Sequence, residues 1–146
     1  MGGVALVGDK DVFKLIHTIQ KFSNHAIIQW TKSTQNRIGI SPILVLVELR
    51  THGPQMQSDI AQTLGFTPGA VTNIANKLIE LQLAKREYDS SDRRKIYLVI
   101  TEEGIEVLKE AQLKGQLFYE ELFQVLSEEE LQQFLSIYEK LLRSID

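Results

Sequence analysis

The sequence predicts a mainly α-helical protein that carries one small β-hairpin, and two observations predict this class. Apolar residues recur at three- and four-residue intervals through most of the 146-residue chain, which is the spacing of helices with one buried face. Residues 83–100 instead form two short strand-like runs around Asp89-Ser90-Ser91-Asp92, a segment of turn-forming residues. The predicted order is a long helix, three shorter helices, the hairpin and two further helices.

Capping residues mark the boundaries of these elements. Ser41-Pro42 and Thr67-Pro68 each place a capping hydroxyl before a proline, whose missing N–H costs nothing in the first turn of a helix. Ser127 is followed three residues later by Glu130, which is the pattern of a capping box. The predicted elements are helices at residues 11–32, 41–51, 57–64 and 67–81, strands at 83–88 and 95–100, and helices at 102–125 and from 127 onwards.

The composition narrows the class of protein. There is no cysteine, which excludes disulfides and thiolate metal sites. The longest uninterrupted apolar run, residues 43–47, is far shorter than the roughly 20 residues needed to cross a bilayer. Residues 1–11 lack the basic leader of a secretory signal. We therefore expect a cytoplasmic protein without a membrane partner.

The net charge of −3 is unevenly distributed along the chain. Residues 1–40 carry +3, residues 41–101 carry +1 and residues 102–146 carry −7. Because the acidic residues are concentrated in the C-terminal third, the middle of the chain can still present a basic surface to a polyanion.

Residues 57–78, QSDIAQTLGFTPGAVTNIANKL, have the pattern of a helix-turn-helix. Ala61 is small where two helices cross, Gly65 allows a left-handed turn, and Val71 faces inward from the second helix. The opposite face of that helix carries small, amide and cationic residues, namely Gly69, Thr72, Asn73, Asn76 and Lys77. Such a face fits the major groove of DNA, where an asparagine amide pairs with the N6/N7 edge of adenine. The alternative is an ordinary amphipathic helix with a solvated polar face.

The hairpin that follows places three adjacent cations, Arg93, Arg94 and Lys95, at its tip. An arginine at such a tip can enter a narrow minor groove, where the negative potential is concentrated. Asp92 can hold one guanidinium in a fixed geometry. The alternative is a solvated turn that protects an edge hairpin from aggregation. Its position directly after the helix-turn-helix favours the DNA interpretation.

These pieces together resemble the MarR family of winged-helix transcriptional regulators. The resemblance rests on the spacing of Ala61, Gly65 and Val71-Thr72, on the run ANKLIELQLAKREYDSSDRR, and on LVITEEG at the start of the next helix. In this family the hairpin after the helix-turn-helix is called the wing. The segment from Asp89 to Arg94, followed by Leu98, Thr101 and Gly104, is similar to the wing signature of the family. The predicted fold is therefore a winged helix-turn-helix with a dimerisation region made of the terminal helices.

The resemblance implies a homodimeric, sequence-specific regulator of transcription, most often a repressor, that binds a pseudo-palindromic operator in double-stranded DNA. Residues 1–40 and 102–146 would dimerise, and residues 41–101 would form the DNA-binding lobe. It implies that Arg94 enters the minor groove, that Asp92 orients it, and that Arg86 braces the wing aspartates. Gly69, Thr72, Asn73 and Asn76 would lie in the major groove, with Lys77 and Ser58 on phosphate.

The resemblance also implies a regulatory ligand that is small and aromatic or phenolic. Phe22, His25 and Trp30 on the first helix are candidates to line its pocket, and packing in a core or an interface is the alternative for all three. The chain departs from the family pattern at two positions. Gln82 stands where a glycine usually follows the second helix of the helix-turn-helix, called the recognition helix (residues 67–81 here). Asn73 stands where a basic residue is common.

Other functions receive less support from the sequence. A winged helix used only for protein contacts would not need Arg94 at its tip. An enzyme lacks any recognisable motif here, and we expect no catalytic residue, no cofactor and no metal site. His17 and His25 lie about two helical turns apart, a spacing more typical of packing or surface than of a metal pair. The run Glu128-Glu129-Glu130 is explained by the dipole of its helix rather than by a bound cation.

Overall fold

The structure, a computed structural model, describes residues 9–34 and 37–146, with side chains from residue 11 onwards. The prediction that residues 1–11 contain no secretory leader concerns a segment that lies mostly outside the described residues. The chain forms two compact units, one extending to Ala111 and the other from Gln112 to Asp146. The division into dimerisation residues (1–40 and 102–146) and a DNA-binding lobe (41–101) remains a prediction about roles.

The predicted order of elements is confirmed: six helices and one antiparallel hairpin account for the regular structure of the described residues. The elements are α1 (Asp9–Ser33), α2 (Ile40–His52), α3 (Gln57–Leu64), α4 (Pro68–Glu80), β1 (Ala84–Tyr88), β2 (Ile96–Ile100), α5 (Glu102–Phe123) and α6 (Glu128–Ile145).

The predicted helix caps at Thr67 and Ser127 form, Thr101 caps α5 in the same way, and the cap predicted for α2 was wrong by two residues. The hydroxyls of Thr67, Thr101 and Ser127 each accept a hydrogen bond from the backbone N–H three residues later, at 3.2, 3.0 and 3.1 Å. Helix α2, however, begins at Ile40 with Gly39 as its N-cap. Ser41-Pro42 therefore lies within the first turn, where a missing N–H is equally harmless.

The hairpin pairs Ala84 with Ile100 at its base and Tyr88 with Ile96 near its tip. A third segment joins the sheet through a single residue, for which the sequence carries no strand-like pattern. Gln55 donates its N–H to the carbonyl of Leu98 at 3.2 Å and accepts from the N–H of Leu98 at 2.7 Å. The loop between α2 and α3 is thereby hydrogen-bonded to β2, and the hairpin and the helix-turn-helix belong to the same compact unit.

The core of the first unit joins α2, α3, α4, the hairpin and the first half of α5. Its fully buried members include Val45, Leu46, Leu49, Ile60, Val71, Leu78 and Leu98. Burying side chains of this size stabilises a fold by roughly 1.5–3 kcal/mol each. The predicted inward direction of Val71 is confirmed, because Val71 is buried together with Ala75 and Leu78, and Ile74 packs against the core.

Helix α4 ends in the left-handed conformation that the sequence placed in doubt. Gln82 has a φ of 62° and donates its N–H to Ile79, while the N–H of Leu83 reaches the carbonyl of Leu78 at 2.8 Å. This pair of hydrogen bonds is a Schellman motif, and the buried side chains of Leu78 and Leu83 add its usual apolar contact. The turn from the recognition helix to the wing is therefore formed without a glycine.

Many apolar side chains on the terminal helices are exposed. On α1 only Ala26 is buried among its described side chains, and α6 has no buried residue. The exposed apolar residues of α1 are Phe13, Leu15, Ile16, Ile19, Phe22, Ile27 and Ile28, and those of α6 are Leu131, Phe134, Leu135, Ile137, Tyr138, Leu141, Leu142 and Ile145. Within the second unit, Phe123 contacts Phe134 with ring centroids 5.9 Å apart. That unit consists of the end of α5 and α6.

Candidate nucleic-acid interface

The outer face of α4 lacks large apolar side chains. Gly69, Thr72, Asn73, Asn76 and Lys77 are all exposed, as the helical spacing predicted. An added Cβ at Gly69 would meet no atom within 4 Å, so the backbone there is open to close approach. Small and amide-bearing residues on one exposed helix face suit insertion into the major groove, which is about 12 Å wide.

The tip of the hairpin is organised by the carboxylate of Asp89. Its Oδ1 accepts hydrogen bonds from the Ser91 hydroxyl at 2.7 Å, from the Ser91 N–H at 2.8 Å and from the Asp92 N–H at 3.2 Å. These donors, the Ser91 hydroxyl first, lower the pKa of Asp89 from 3.8 to about 2. The Tyr97 hydroxyl donates to Oδ2 at 3.3 Å. The turn that carries the cations is thus held by an ionised side chain at neutral pH.

Asp92 holds Arg94 in the geometry that the sequence suggested. Its Oδ1 accepts from Arg94 Nε at 3.1 Å, and its Oδ2 accepts from Nη2 at 3.3 Å. The guanidinium lowers the pKa of Asp92, with the backbone N–H of Arg94 as a second cause. The Arg94 side chain nevertheless remains 90% exposed. Arg93 and Lys95 are also exposed, so the wing tip presents three cations with one of them fixed in direction.

Arg86 has different partners from those expected, and this corrects one prediction. Its guanidinium does not brace Asp89 or Asp92, because its Nη2 donates to Gln57 Oε1 at 3.1 Å and to Asn76 Oδ1 at 3.0 Å. The reason is the direction of its side chain, which reaches from β1 towards α3 and α4. Gln57, the first residue of α3, had no sequence signal of its own. Ser58, the next residue, is exposed at the start of the same helix.

The three candidate ligand-pocket residues differ in their surroundings. Trp30 is half-buried against the core, and its Nε1 donates to the carbonyl of Ala111 at 2.9 Å. Phe22 and His25 are exposed on α1. Trp30 therefore packs α1 onto α5, in agreement with a role in packing rather than in a ligand pocket.

The described residues form neither a membrane-spanning helix nor a cluster of metal ligands. In the part of the chain that the structure describes, no helix combines the length and the apolar content that a membrane span requires. Residues 9–34 and 37–146 also contain no group of three or more His, Cys, Asp or Glu side chains placed to hold a metal ion.

A surface that combines an exposed recognition helix, α4, with a cationic wing defines a winged-helix DNA-binding protein. Comparison with known proteins agrees. The model of the MarR family matches residues 40–96. The HTH-type transcriptional repressor MdtR of Bacillus subtilis (strain 168) is 32% identical over 110 residues, which cover 74% of this chain and 71% of that protein. The chain belongs to the MarR family of transcriptional regulators, and its relatives are regulators rather than enzymes.

Solved structures extend the likeness to nearly the whole chain. YusO from Bacillus subtilis has a TM-score of 0.77 and 26% identity, and the match covers 94% of this chain and 99% of that one. BpsR of Bordetella bronchiseptica, whose DNA binding is regulated by 6-hydroxynicotinic acid, has a TM-score of 0.68 and 17% identity. That match covers 88% of this chain and 98% of BpsR, and at this identity it concerns the fold.

Proposed function

We propose that this protein is a cytoplasmic, homodimeric repressor that binds a two-fold symmetric operator and is released from it by a small aromatic ligand. One observation carries the DNA-binding part of the proposal. The exposed α4 face belongs to the same compact unit as Arg94, whose guanidinium is fixed by Asp92 and yet exposed. A solvated turn would not need a fixed direction for its cation, whereas insertion into a minor groove benefits from one.

In this proposal α4 enters the major groove and the wing lies along the neighbouring minor groove. Thr72, Asn73 and Asn76 face the bases, and Gly69 allows close approach. Lys77 and Ser58 contact phosphate, and Arg93 and Lys95 flank Arg94 on the backbone. Two lobes related by the dimer axis would place half-sites about one helical turn apart, roughly 10 bp.

The test is binding to DNA upstream of the protein's own gene, at two salt concentrations. Affinity should fall as salt rises, because phosphate contacts release counterions. Arg94→Ala should weaken operator binding by roughly 5- to 150-fold, equivalent to about 1–3 kcal/mol. Lys109→Ala is the matched control. It removes the same positive charge, but from α5, where Lys109 pairs with Glu106, and not from the wing. Equal losses in the two variants would contradict the role of Arg94, and the absence of any preferred two-fold site would contradict the operator.

The homodimer is proposed from the exposed apolar residues of α1 and α6. A monomer would leave the apolar stripe of an eighteen-residue helix in water, and large exposed apolar patches usually mark interfaces. A second copy of the chain is the partner that the family relationship supports. Leu142→Glu should raise the dissociation constant of the dimer at least about tenfold, because it buries an unpaired charge. Gln133→Glu adds the same charge to the polar face of α6 and should leave the dimer intact in sedimentation experiments.

Release by a ligand is proposed from the likeness to BpsR. Phe22 and His25 are exposed on the helix that also carries Trp30, so an aromatic ring and an imidazole are available there to contact an aromatic acid. The ligand would act by favouring a spacing of the two lobes that no longer matches the operator. Titration with phenolic acids and with 6-hydroxynicotinic acid should change the fluorescence of Trp30, the single tryptophan, and lower DNA affinity in parallel. An unchanged affinity throughout would contradict ligand release by this class of compound.

A further inference from the structure

A chain of hydrogen bonds connects the wing with both helices of the helix-turn-helix. Arg86 Nη2 on β1 donates to Gln57 Oε1 at 3.1 Å and to Asn76 Oδ1 at 3.0 Å. Gln57 Nε2 donates in turn to Thr72 Oγ1 at 3.3 Å. The Thr72 hydroxyl then donates to the carbonyl of Pro68 at 3.0 Å. Four side chains from three elements therefore share one directional network, and two of them, Thr72 and Asn76, lie on the exposed face of α4.

The direction of this network follows from the chemistry of the guanidinium. Arginine has N–H donors and no acceptor. Gln57 and Asn76 must therefore turn their amide oxygens towards Arg86, which leaves the NH₂ group of Asn76 directed away from it. The Thr72 hydroxyl proton is committed to the Pro68 carbonyl. The amide oxygen of Asn76 is thus held towards Arg86, and its NH₂ group is the part of the side chain that is left without a partner in this network.

We infer that Arg86 is a positioning residue that holds the oxygen of Asn76 towards the wing, presents its NH₂ group to the DNA and thereby sets the base preference of α4. The inference rests on the proposed binding of α4 in the major groove. Guanine presents two acceptors there, N7 and O6, whereas cytosine presents the N4 amino donor. The paired contact with adenine that asparagine often makes needs the amide oxygen as well as the NH₂ group, so the hydrogen bond from Arg86 competes with it. At the base pair below Asn76, the protein prefers guanine and rejects cytosine.

Asn73 provides an internal comparison on the same helix face. It is exposed, and its side chain makes no hydrogen bond to any residue within 9–34 and 37–146. Its amide can rotate freely, so it retains the capacity for the paired contact with adenine. The network therefore separates two asparagines that the sequence treats alike, one fixed as a donor and one adaptable.

The experiment measures affinity for all four bases at each operator position, with wild type and with variants of the network. Asn76→Ala first identifies the base pair that depends on this residue. There, wild type should favour guanine over cytosine by about tenfold. Arg86→Met keeps the length of the side chain but removes its donors, so guanine preference should fall and adenine should gain relative to guanine. Arg86→Lys, which still donates, should restore part of the guanine preference.

Asn76→Asp tests the same idea in the opposite sense. The carboxylate keeps Arg86 as its partner but turns an acceptor towards the groove, so the preference should shift from guanine to a base with an amino group. Arg94→Ala is the control for affinity alone, because it should weaken binding to all four bases alike at this base pair. Thermal unfolding of each variant establishes that it is folded, and an exposed network should change stability only slightly.

NMR spectra of the protein without DNA test the hydrogen-bond network independently of the proposed DNA binding. Arg86→Met should shift the side-chain amide resonances of Asn76 and Gln57 and leave those of Asn73 in place. Unchanged base ratios in Arg86→Met, or unshifted Asn76 resonances, would overturn the inference while DNA binding stands. If wild type selects no DNA sequence, the proposed function fails and the assigned base preference falls with it, and the amide resonances still establish whether the network forms.

Discussion

The carboxylate of Asp92 accepts three hydrogen bonds from Arg94, two from its guanidinium at 3.1 and 3.3 Å and one from its backbone N–H at 3.0 Å. Both the position and the direction of this cation are therefore set by its neighbour two residues earlier. Isolated ion pairs at a protein surface contribute little to stability, about 0–1 kcal/mol. The value of this pair lies in orientation, since a pre-positioned arginine loses less entropy when it enters a groove.

Asp92→Asn should therefore weaken operator binding, although it removes a negative charge from a DNA-binding surface. Loss of the charge alone favours binding slightly, whereas loss of the fixed geometry opposes it by about 1 kcal/mol. Glu87→Gln is the control, because it removes a wing carboxylate that pairs with Lys85 and does not touch Arg94. That control should bind equally well or more tightly. In an Arg94→Ala background Asp92→Asn should have no further cost, and additive losses in this double-mutant cycle would exclude the proposed coupling.

The pKa of Asp89 gives the wing turn a defined response to acid. Hydrogen bonds from the Ser91 hydroxyl and from the N–H groups of Ser91 and Asp92 lower this pKa from 3.8 to about 2. Because the pKa is lower in the folded protein, the ionised Asp89 carboxylate stabilises the folded turn. This contribution is fully present above pH 3.8 and is lost as the pH falls through about 2. In a carboxyl NMR titration Asp89 should remain mostly ionised at pH 3. A midpoint near 3.8 would contradict the hydrogen-bonded turn, and Asp89→Asn identifies the resonance.

Gln82 occupies a backbone conformation that favours glycine. Its φ of 62° belongs to the left-handed region, which costs a residue with a Cβ about 1 kcal/mol or more. Gln82→Gly should raise the free energy of unfolding by about 0.5–1 kcal/mol, after allowing for the greater freedom of glycine in the unfolded chain. Urea denaturation measures the change. Gln62→Gly, on an exposed turn of α3, should instead destabilise by roughly the same amount, and a loss of stability in both variants would show that the Schellman turn is unstrained.

Local sequence patterns predicted much of the fold. The inward direction of Val71 followed from helical spacing, and the cap at Thr67 followed from a hydroxyl placed before a proline. The position of Arg94 at the wing tip followed from the turn residues around it. Each of these features depends on interactions over a few residues, which periodicity and turn chemistry describe directly.

The remaining features depend on residues that are distant in sequence. The pairing of Gln55 with Leu98 involves a single residue, so no alternation marks it as a strand. The partners of Arg86 lie 10 and 29 residues away, and its basic character gave no indication of whether it would turn towards Asp89 or towards α4. Only the packing of β1 on the helices decides this, and that packing determines which atoms of Asn76 remain available to DNA.

Gly104 is the position where one added methyl group should disturb the fold most directly. A Cβ there would clash with the backbone carbonyl oxygen of Leu83 and lie 2.8 Å from Ile100 Cγ1. Backbone cannot move aside as a side chain can, so Gly104→Ala should lower the free energy of unfolding by about 1–3 kcal/mol. Gly69→Ala is the matched control, because its Cβ would meet no atom within 4 Å and alanine favours a helix by about 0.5–1 kcal/mol. The midpoint of thermal unfolding should therefore fall in Gly104→Ala and rise in Gly69→Ala.

Operator affinity should nevertheless fall in Gly69→Ala, since the new methyl group stands between α4 and the groove. Unchanged affinity in this more stable variant would remove Gly69 from the DNA interface.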